Sequence, residues 1–171
     1  MMRSQPPLPT IELGPPTDLD AFAFQQLLTT TPFLSNNSLY CNLLQCTHFA
    51  DTSICAKHST KLIAFISGYH IPTRPDTLFI WQAIVIEPYR KQGLAIRMIR
   101  NLLKRPSCQD IAYLEATIPD SNQASWALFN RLAKQLDAAT KISIAFDKDT
   151  HFHGSRETEK LMRIGPLTAK D

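Results

Sequence analysis

At 171 residues, with 44% apolar and 19% charged side chains, the chain has the make-up of an ordinary globular protein, long enough to bury one proper core. A formal net charge of +3 admits an anionic small ligand but lacks the basic stripe that nucleic-acid binding requires. The four cysteines form no CxxC pair, which argues against structural zinc and fits reduced thiols; with no secretory-type segment after Arg3 and no run near the ~20 apolar residues of a membrane span, a cytoplasmic protein off the membrane is expected.

Residues 1–16 contain Pro6, Pro7, Pro9, Pro15 and Pro16 and read as an extended, partly flexible segment with a short strand at 10–13, ahead of a single domain over 17–171. Thr17 and Asp20 form a loose capping box for a helix running to about Leu28. Ser35, Asn36 and Asn37 make a turn, and Leu39, Leu43, Leu44 and Cys46 are spaced for a short helix. "SICAKH" and "KLIAFISGYHI" are two strands around a Ser–Thr turn, followed by a Pro-rich loop, "IPTRPDT". "LFIWQAIVI" is so uniformly apolar that it reads as a strand buried on both faces and closed by Pro88.

From Gly93 a helix sets Leu94, Ala95, Met98, Ile99, Leu102 and Leu103 on one face and stops at Pro106. "IAYLEATI" is a further buried strand. A second long helix lies within "DSNQASWALFNRLAKQL", with Asp120 and Gln123 as its capping box. "KISIAF" and "KLMRIG" are the final strands, around a polar loop. All 12 prolines fall outside these helix interiors. The order implies an α/β (α+β) domain whose mixed sheet of six to seven strands has 79–86 and 111–117 parallel or nearly so.

One junction carries chemistry. The chain has only 5 glycines, and Gly93 sits between a buried strand and an amphipathic helix, just after Arg90 and Lys91. First-turn helix amides have no intrahelical acceptors, and two cations are the wrong sign for that end of the dipole by about 0.3–1 kcal/mol each. A bound anion would satisfy both, with small residues at 93 and 95 letting it approach the backbone. The alternative is a plain loop–helix junction with solvated cations.

"RKQGLA", Arg90 to Ala95, resembles the Gln/Arg-x-x-Gly-x-Gly/Ala pyrophosphate loop of the Gcn5-related N-acetyltransferases (GNAT). "SNNSLYCNLLQCTHFADT", "FISGYHIPTRPDTLFIWQAIV", "YLEATIPDSNQASWALF" and "RIGPL" extend the resemblance, over nearly all of residues 30–167, to the diaminobutyrate acetyltransferases of ectoine biosynthesis within that family. The resemblance implies the GNAT fold: a mostly antiparallel mixed sheet with a splayed parallel pair, flanked by about four helices. It also implies acetyl-CoA as co-substrate, direct attack by the 4-amino group of the acceptor, and a homodimer. Arg90, Lys91 and the amides of Gln92, Gly93, Leu94 and Ala95 would hold the pyrophosphate. Pantetheine would lie along Ile84, Val85 and Ile86, Asn122 would contact the CoA arm, and Arg97 a CoA phosphate. The alternatives are the same chemistry on another small diamine or amino acid, or a catalytically weak acyl-CoA-binding protein.

The attacking amine must lose a proton from an ammonium of pKa about 10, which calls for a base or a water chain. Glu115, in mid-strand, is either that base or an ammonium anchor, or else half of a salt bridge or on an edge exposed to water. Within the resemblance, Trp81 and Gln82 form one wall for the acceptor and Asn37, Ser38 and Tyr40 the other. The family generally has Asp where Ser35 stands, "HEDE" where Arg156–Glu159 reads "RETE", and Tyr where Met162 stands. Ser35 keeps a hydrogen bond there, and Glu157 and Glu159 would supply negative charge. Phe129 stands where many relatives carry a thiolate-protonating Tyr. His151 and His153 lack a third ligand and read as loop residues, so no metal is expected.

Overall fold

A computed structural model of the chain describes residues 10–31 and 37–168. In chain order these form β1 (Ile11–Gly14), α1 (Ala21–Thr29), α2 (Leu39–Thr47), β2 (Ile54–His58), β3 (Lys61–Ile71), β4 (Arg74–Val85), α3 (Leu94–Leu103), β5 (Tyr113–Pro119), α4 (Gln123–Gln135), β6 (Thr140–Phe146) and β7 (Glu159–Ile164). The single sheet has the order β1-β2-β3-β4-β5-β7-β6, with β4–β5 as its parallel pair and every other pairing antiparallel. The last strand therefore slots between β5 and β6, leaving β6 at an edge. No helix among the described residues is long and apolar enough to cross a membrane.

The expected capping box ahead of α1 is present. The Thr17 N–H and hydroxyl both donate to Asp20 Oδ2, at 2.8 and 3.1 Å, while Lys57 Nζ sits 2.7 Å from Asp20 Oδ1 and ties the turn to β2. At α4 the cap differs from expectation. Asn122 is the N-cap, its Oδ1 accepting from Ser125 N–H at 3.1 Å, and Gln123 donates to Asp120 C=O instead. β4 also starts earlier than its apolar run, because the Pro-rich loop shrinks to a turn. Residues 75–77 fall in a register shift with no β3 partner, so Pro75 leaves no ladder bond unmade.

α3 and α4 cover one face of the sheet. Leu94, Met98, Ile99 and Leu102 join Leu78, Ile80, Leu114, Ala116 and Met162 in the main core. On the other face α1 and α2 pack a smaller cluster against Leu62, Phe65 and Ile84, with the Phe24 and Phe65 rings stacked at 3.8 Å. That second cluster draws on β2, β3 and β4 and on no residue of β5 or β7.

β4 and β5 pair over three residues only, Thr77 with Tyr113, Leu78 with Leu114 and Phe79 with Glu115. Beyond Phe79 the strands part: β4 stays with β3 and β5 stays with β7. A bulge marks the fork. Ser67 pairs with Gln82 and Gly68 with Ile80, so Trp81 is the extra residue. Gly68 is required opposite it, since a Cβ there would lie 2.8 Å from the Phe79 carbonyl oxygen.

Candidate active site

β4 ends in a turn whose backbone visits the left-handed region twice, at Lys91 (φ 60°) and at Gly93 (φ 75°), the N-cap of α3. A glycine meets that conformation without strain. A Cβ on Gly93 would find nothing within 4 Å, so the space above the first-turn amides is open. The turn is fastened from below. Arg90 Nε donates to Val85 C=O at 2.7 Å, Gln92 Nε2 donates to Pro88 C=O at 2.9 Å, and the Tyr89 hydroxyl is hydrogen-bonded to His58 Nδ1. Arg90 thus shapes the cradle as well as charging it. Below Gly93 runs a groove of about 370 Å³ lined by Ile96, Arg97, Arg100, Asn101, Lys104 and Gln135. Its three cations, of which only Arg97 was expected, stand on one exposed side of α3 and give the groove a positive field.

Of the three residues expected along the pantetheine, Ile86 turns its N–H to Ile63 C=O of β3, at 3.0 Å. Backbone groups of an extended strand alternate, so Val85 and Ala83 present theirs to the fork, as the bond from Arg90 to Val85 C=O also requires. Ile84 is 2% exposed, its side chain packed into the α1–α2 cluster.

The fork holds a cavity of about 130 Å³ lined by Trp81, Gln82, Thr117, Asn122, Ser125, Phe129 and Glu159 among others. Phe129 brings no hydroxyl to it. Asn122 lines it with its Oδ1 committed to the helix cap, leaving the amide nitrogen as its donor. Trp81 is 40% exposed and meets the Tyr69 ring edge-on. Gln82 is buried, and its Oε1 accepts from Asn37 Nδ2 at 3.0 Å. Behind this pair Asn42 donates to Gln25 Oε1 at 2.6 Å and accepts from Gln45 at 3.4 Å. This chain of carboxamides joins α1 and α2 to the wall of the cavity, and sequence reasoning missed it. Polar residues on the inner face of α2, at 42 and 45, were its visible signal.

The other expected acceptor residues divide. Tyr40, on the first turn of α2, is 70% exposed. Ser38 is the N-cap of α2, its Oγ accepting from Cys41 N–H at 3.1 Å while its O–H remains a donor. Ser35 lies outside the described residues. Exposed Glu157 accepts from Ser121 N–H at 3.3 Å and holds the loop before α4. Glu159 is half-buried at the fork, and burial pushes its carboxyl above the usual range despite a hydrogen bond from Thr117 and the nearby charge of Arg156; Glu157 adds to the rise. Cys46 and Cys55 are buried thiols, the former pushed up to about 12 by desolvation, and they serve packing. Met162 lies in the core, 1% exposed. His151 Nδ1 accepts from Asp147 N–H within a turn.

Glu115 differs most from expectation. It is 1% exposed, and both its oxygens are taken: Arg74 donates to Oε1 and Oε2 at 2.5 and 2.8 Å, and Arg163 to Oε1 at 2.5 Å. Burial alone would raise its pKa, but the two guanidinium groups outweigh that and hold it below the usual carboxylate range. A carboxylate so committed is a poor proton acceptor at neutral pH. The ion pair, one of the readings open to it, is present.

A sheet that forks at its parallel pair, with an anion cradle at the helix behind the fork, is the architecture of the acetyltransferase (GNAT) family. A profile of that family matches residues 21–133, and the chain belongs to it. Its relatives narrow the likeness. The chain is 47% identical, over 99% of its length and 98% of theirs, to the L-2,4-diaminobutyric acid acetyltransferase of Methylotuvimicrobium alcaliphilum. To the protein of that name in Vibrio cholerae it is 40% identical, over 91% of this chain and 90% of the other. Among solved structures it resembles the diaminobutyrate acetyltransferase EctA from Paenibacillus lautus, determined in complex with its substrate L-2,4-diaminobutyric acid and coenzyme A. The TM-score is 0.88 and the identity 31%, over 93% of this chain and 96% of that one. The ribosomal-protein-S18-alanine N-acetyltransferase from Escherichia coli, at 16% identity and TM-score 0.63 over 94% of this chain and 96% of its own, shares the fold.

Proposed function

We propose that the chain transfers the acetyl group of acetyl-CoA to the 4-amino group of L-2,4-diaminobutyrate, by direct attack of the amine, as a step of ectoine biosynthesis serving osmoprotection. The observation that carries this reading is the fork cavity, which pairs an acceptor wall and a half-buried carboxylate with the strand, β4, whose C-terminal turn forms the cradle at Gly93. The chain's own groups fit an acyl-CoA. Open first-turn amides at Gly93 and the cations of the adjoining groove suit its phosphates, and the fork edge of β4, at Ala83 and the N–H of Val85, suits the amides of its arm. Acetyl-CoA supplies an activated thioester.

The chain must orient the acceptor amine, relieve it of a proton and exclude stray nucleophiles. Glu159 takes the role first expected of Glu115. It lines the fork, and a carboxyl raised above its usual range is a better base toward an ammonium than one lowered by two arginines. Trp81 and Gln82 close the acceptor side, with Gln82 held in place through Asn37. The peptide at the Trp81 bulge has no ladder partner and suits the thioester oxygen. With Phe129 unable to give a proton, the thiolate, of pKa about 8.5, leaves as such and takes its proton from water.

We assign the protein to the cytoplasm and read it as a homodimer. Ile142 and Ile144 of edge strand β6 are 54% and 64% exposed, and they prolong the apolar side that Met162 buries in the core. The test is thiol release from acetyl-CoA across diaminobutyrate, ornithine, lysine, 1,3-diaminopropane and polyamines. Diaminobutyrate should give the highest kcat/KM. Preference for another acceptor would move the substrate assignment, and bound acetyl-CoA without amine-dependent release would end the enzyme reading.

A further inference from the structure

Glu115 has one guanidinium more than its charge needs. We infer that Arg163, backed by Arg74, binds the carboxylate of the amino-acid acceptor, so that the enzyme selects amines that carry an acid group at the far end. The inference rests on the acetyltransferase reading above and deepens it.

Geometry puts these groups on the acceptor side of the fork. Along β7, Glu159, Leu161 and Arg163 alternate onto one face, opposite Pro119, Thr117 and Glu115 of β5. This face differs from that of Met162 and Ile164, which point into the α3–α4 core. A carboxylate thus stands at the fork end of the strip and a guanidinium four residues along it, roughly 13 Å of strand. Aromatic rings make the floor continuous. Tyr69 meets Trp81 of the cavity wall at 6.2 Å and Phe79 at 5.3 Å, and Phe79 is the register partner of Glu115.

The donors are present. An arginine has five N–H groups. Arg163 uses Nη1, toward Glu115 and toward Thr77 Oγ1 at 3.3 Å, and its Cζ lies over the Tyr113 ring, 3.6 Å from the centre. Among the described residues its Nε and Nη2 donate to none, and its side chain keeps 24% exposure. Arg74, 44% exposed, has its Nε in the same condition. Two cations face one carboxylate in ion-pair range. Asp76, the other acid nearby, is exposed and accepts from Thr77 rather than from either guanidinium. The stack on Tyr113 fixes the Arg163 fork, which is the condition for planar recognition of a carboxylate. The Glu159 carboxyl is hydrogen-bonded to Thr117 in the cavity wall, so an acceptor amine beside it lies two residues from Glu115 along β5, roughly 7 Å, and its carboxylate, about 5 Å further on by bond lengths, comes up to the Arg163 guanidinium where Glu115 and Tyr113 hold it.

Calorimetry on CoA-saturated protein tests this with L-2,4-diaminobutyrate and 1,3-diaminopropane, which differ by the carboxylate. The wild type should bind diaminobutyrate about 10- to 100-fold more tightly than the diamine, and Arg163→Met should remove that advantage while shifting the diamine by less than about threefold. Arg163→Lys keeps a cation for Glu115 but loses the planar fork, so it carries the test should Arg163→Met fail to fold; it should weaken diaminobutyrate alone, by about tenfold. Equal weakening of both ligands, or a wild type that does not favour diaminobutyrate, would overturn the inference. A wild type that binds neither ligand defeats the diaminobutyrate reading itself. Tight diaminobutyrate binding that ignores position 163 defeats the arginine alone.

Discussion

Replacing Glu115 with glutamine separates a structural carboxylate from a catalytic one. Breaking a buried ion pair costs about 3–5 kcal/mol because a charge is left stranded. Here the stranded charges are Arg74 and Arg163, which keep 44% and 24% side-chain exposure and can take up water. The expected loss is therefore smaller, about 2–3 kcal/mol. For a chain of 171 residues that lowers Tm by about 5–10 °C. The pH dependence has a definite sign. Glu115 is held below its ordinary value in the folded state, so its contribution is complete above the unfolded value of about 4.3 and is lost as pH falls through the lowered folded value. Urea titrations followed by circular dichroism should give a wild-type to E115Q gap that is full at neutral pH and closes in acid. Thiol-release rates measured well below Tm should stay within about tenfold of wild type. An unchanged urea midpoint with a loss of kcat beyond about 100-fold would refute the reasoning and make Glu115 the base after all.

At the cradle, Gly93→Val forces a β-branched residue to φ 75° and adds a side chain over the open amides, so CoA affinity measured by calorimetry should fall about 10- to 100-fold with the fold intact. Glu159→Gln should lower kcat/KM by about 100- to 10,000-fold, as expected for a lost base. In the wild type, the acid limb of kcat/KM against pH should lie above the ordinary glutamate value, since burial favours the protonated form. If the proposed dimer forms through β6, the wild type sediments as a dimer and lysines at both Ile142 and Ile144 should make it a monomer at constant secondary structure, whereas an unchanged sedimentation coefficient would refute that interface.

Local features were legible in the sequence. Gly93, the apolar run before it and the amphipathic helix after it are contiguous, so the cradle follows from a few residues whose backbone needs are strong. The same holds for the Thr17–Asp20 capping box, which closes within one turn. What could not be read depends on partners distant along the chain. Arg74 and Arg163 stand 41 and 48 residues from Glu115, and no periodicity announces that both meet it. The insertion of β7 between β5 and β6 decides that Glu159 and Arg163 share a face with Thr117 and Glu115, and a list of strands in order does not contain it. Arg100 and Lys104 lie between these extremes. Their spacing from Arg97 marks one helix side, but which neighbouring element turns that side into a groove is a matter of how α4 packs.

The central claim is acetyl transfer to one particular nitrogen. Incubating the protein with carbonyl-labelled acetyl-CoA and L-2,4-diaminobutyrate, and reading the product by NMR, tests it most directly. The account predicts one free thiol per acetylated product, with the label on the 4-nitrogen and the 2-amino group unmodified. Acetyl on the 2-nitrogen, or acetyl-CoA consumed at the same rate with and without the amine, would contradict it.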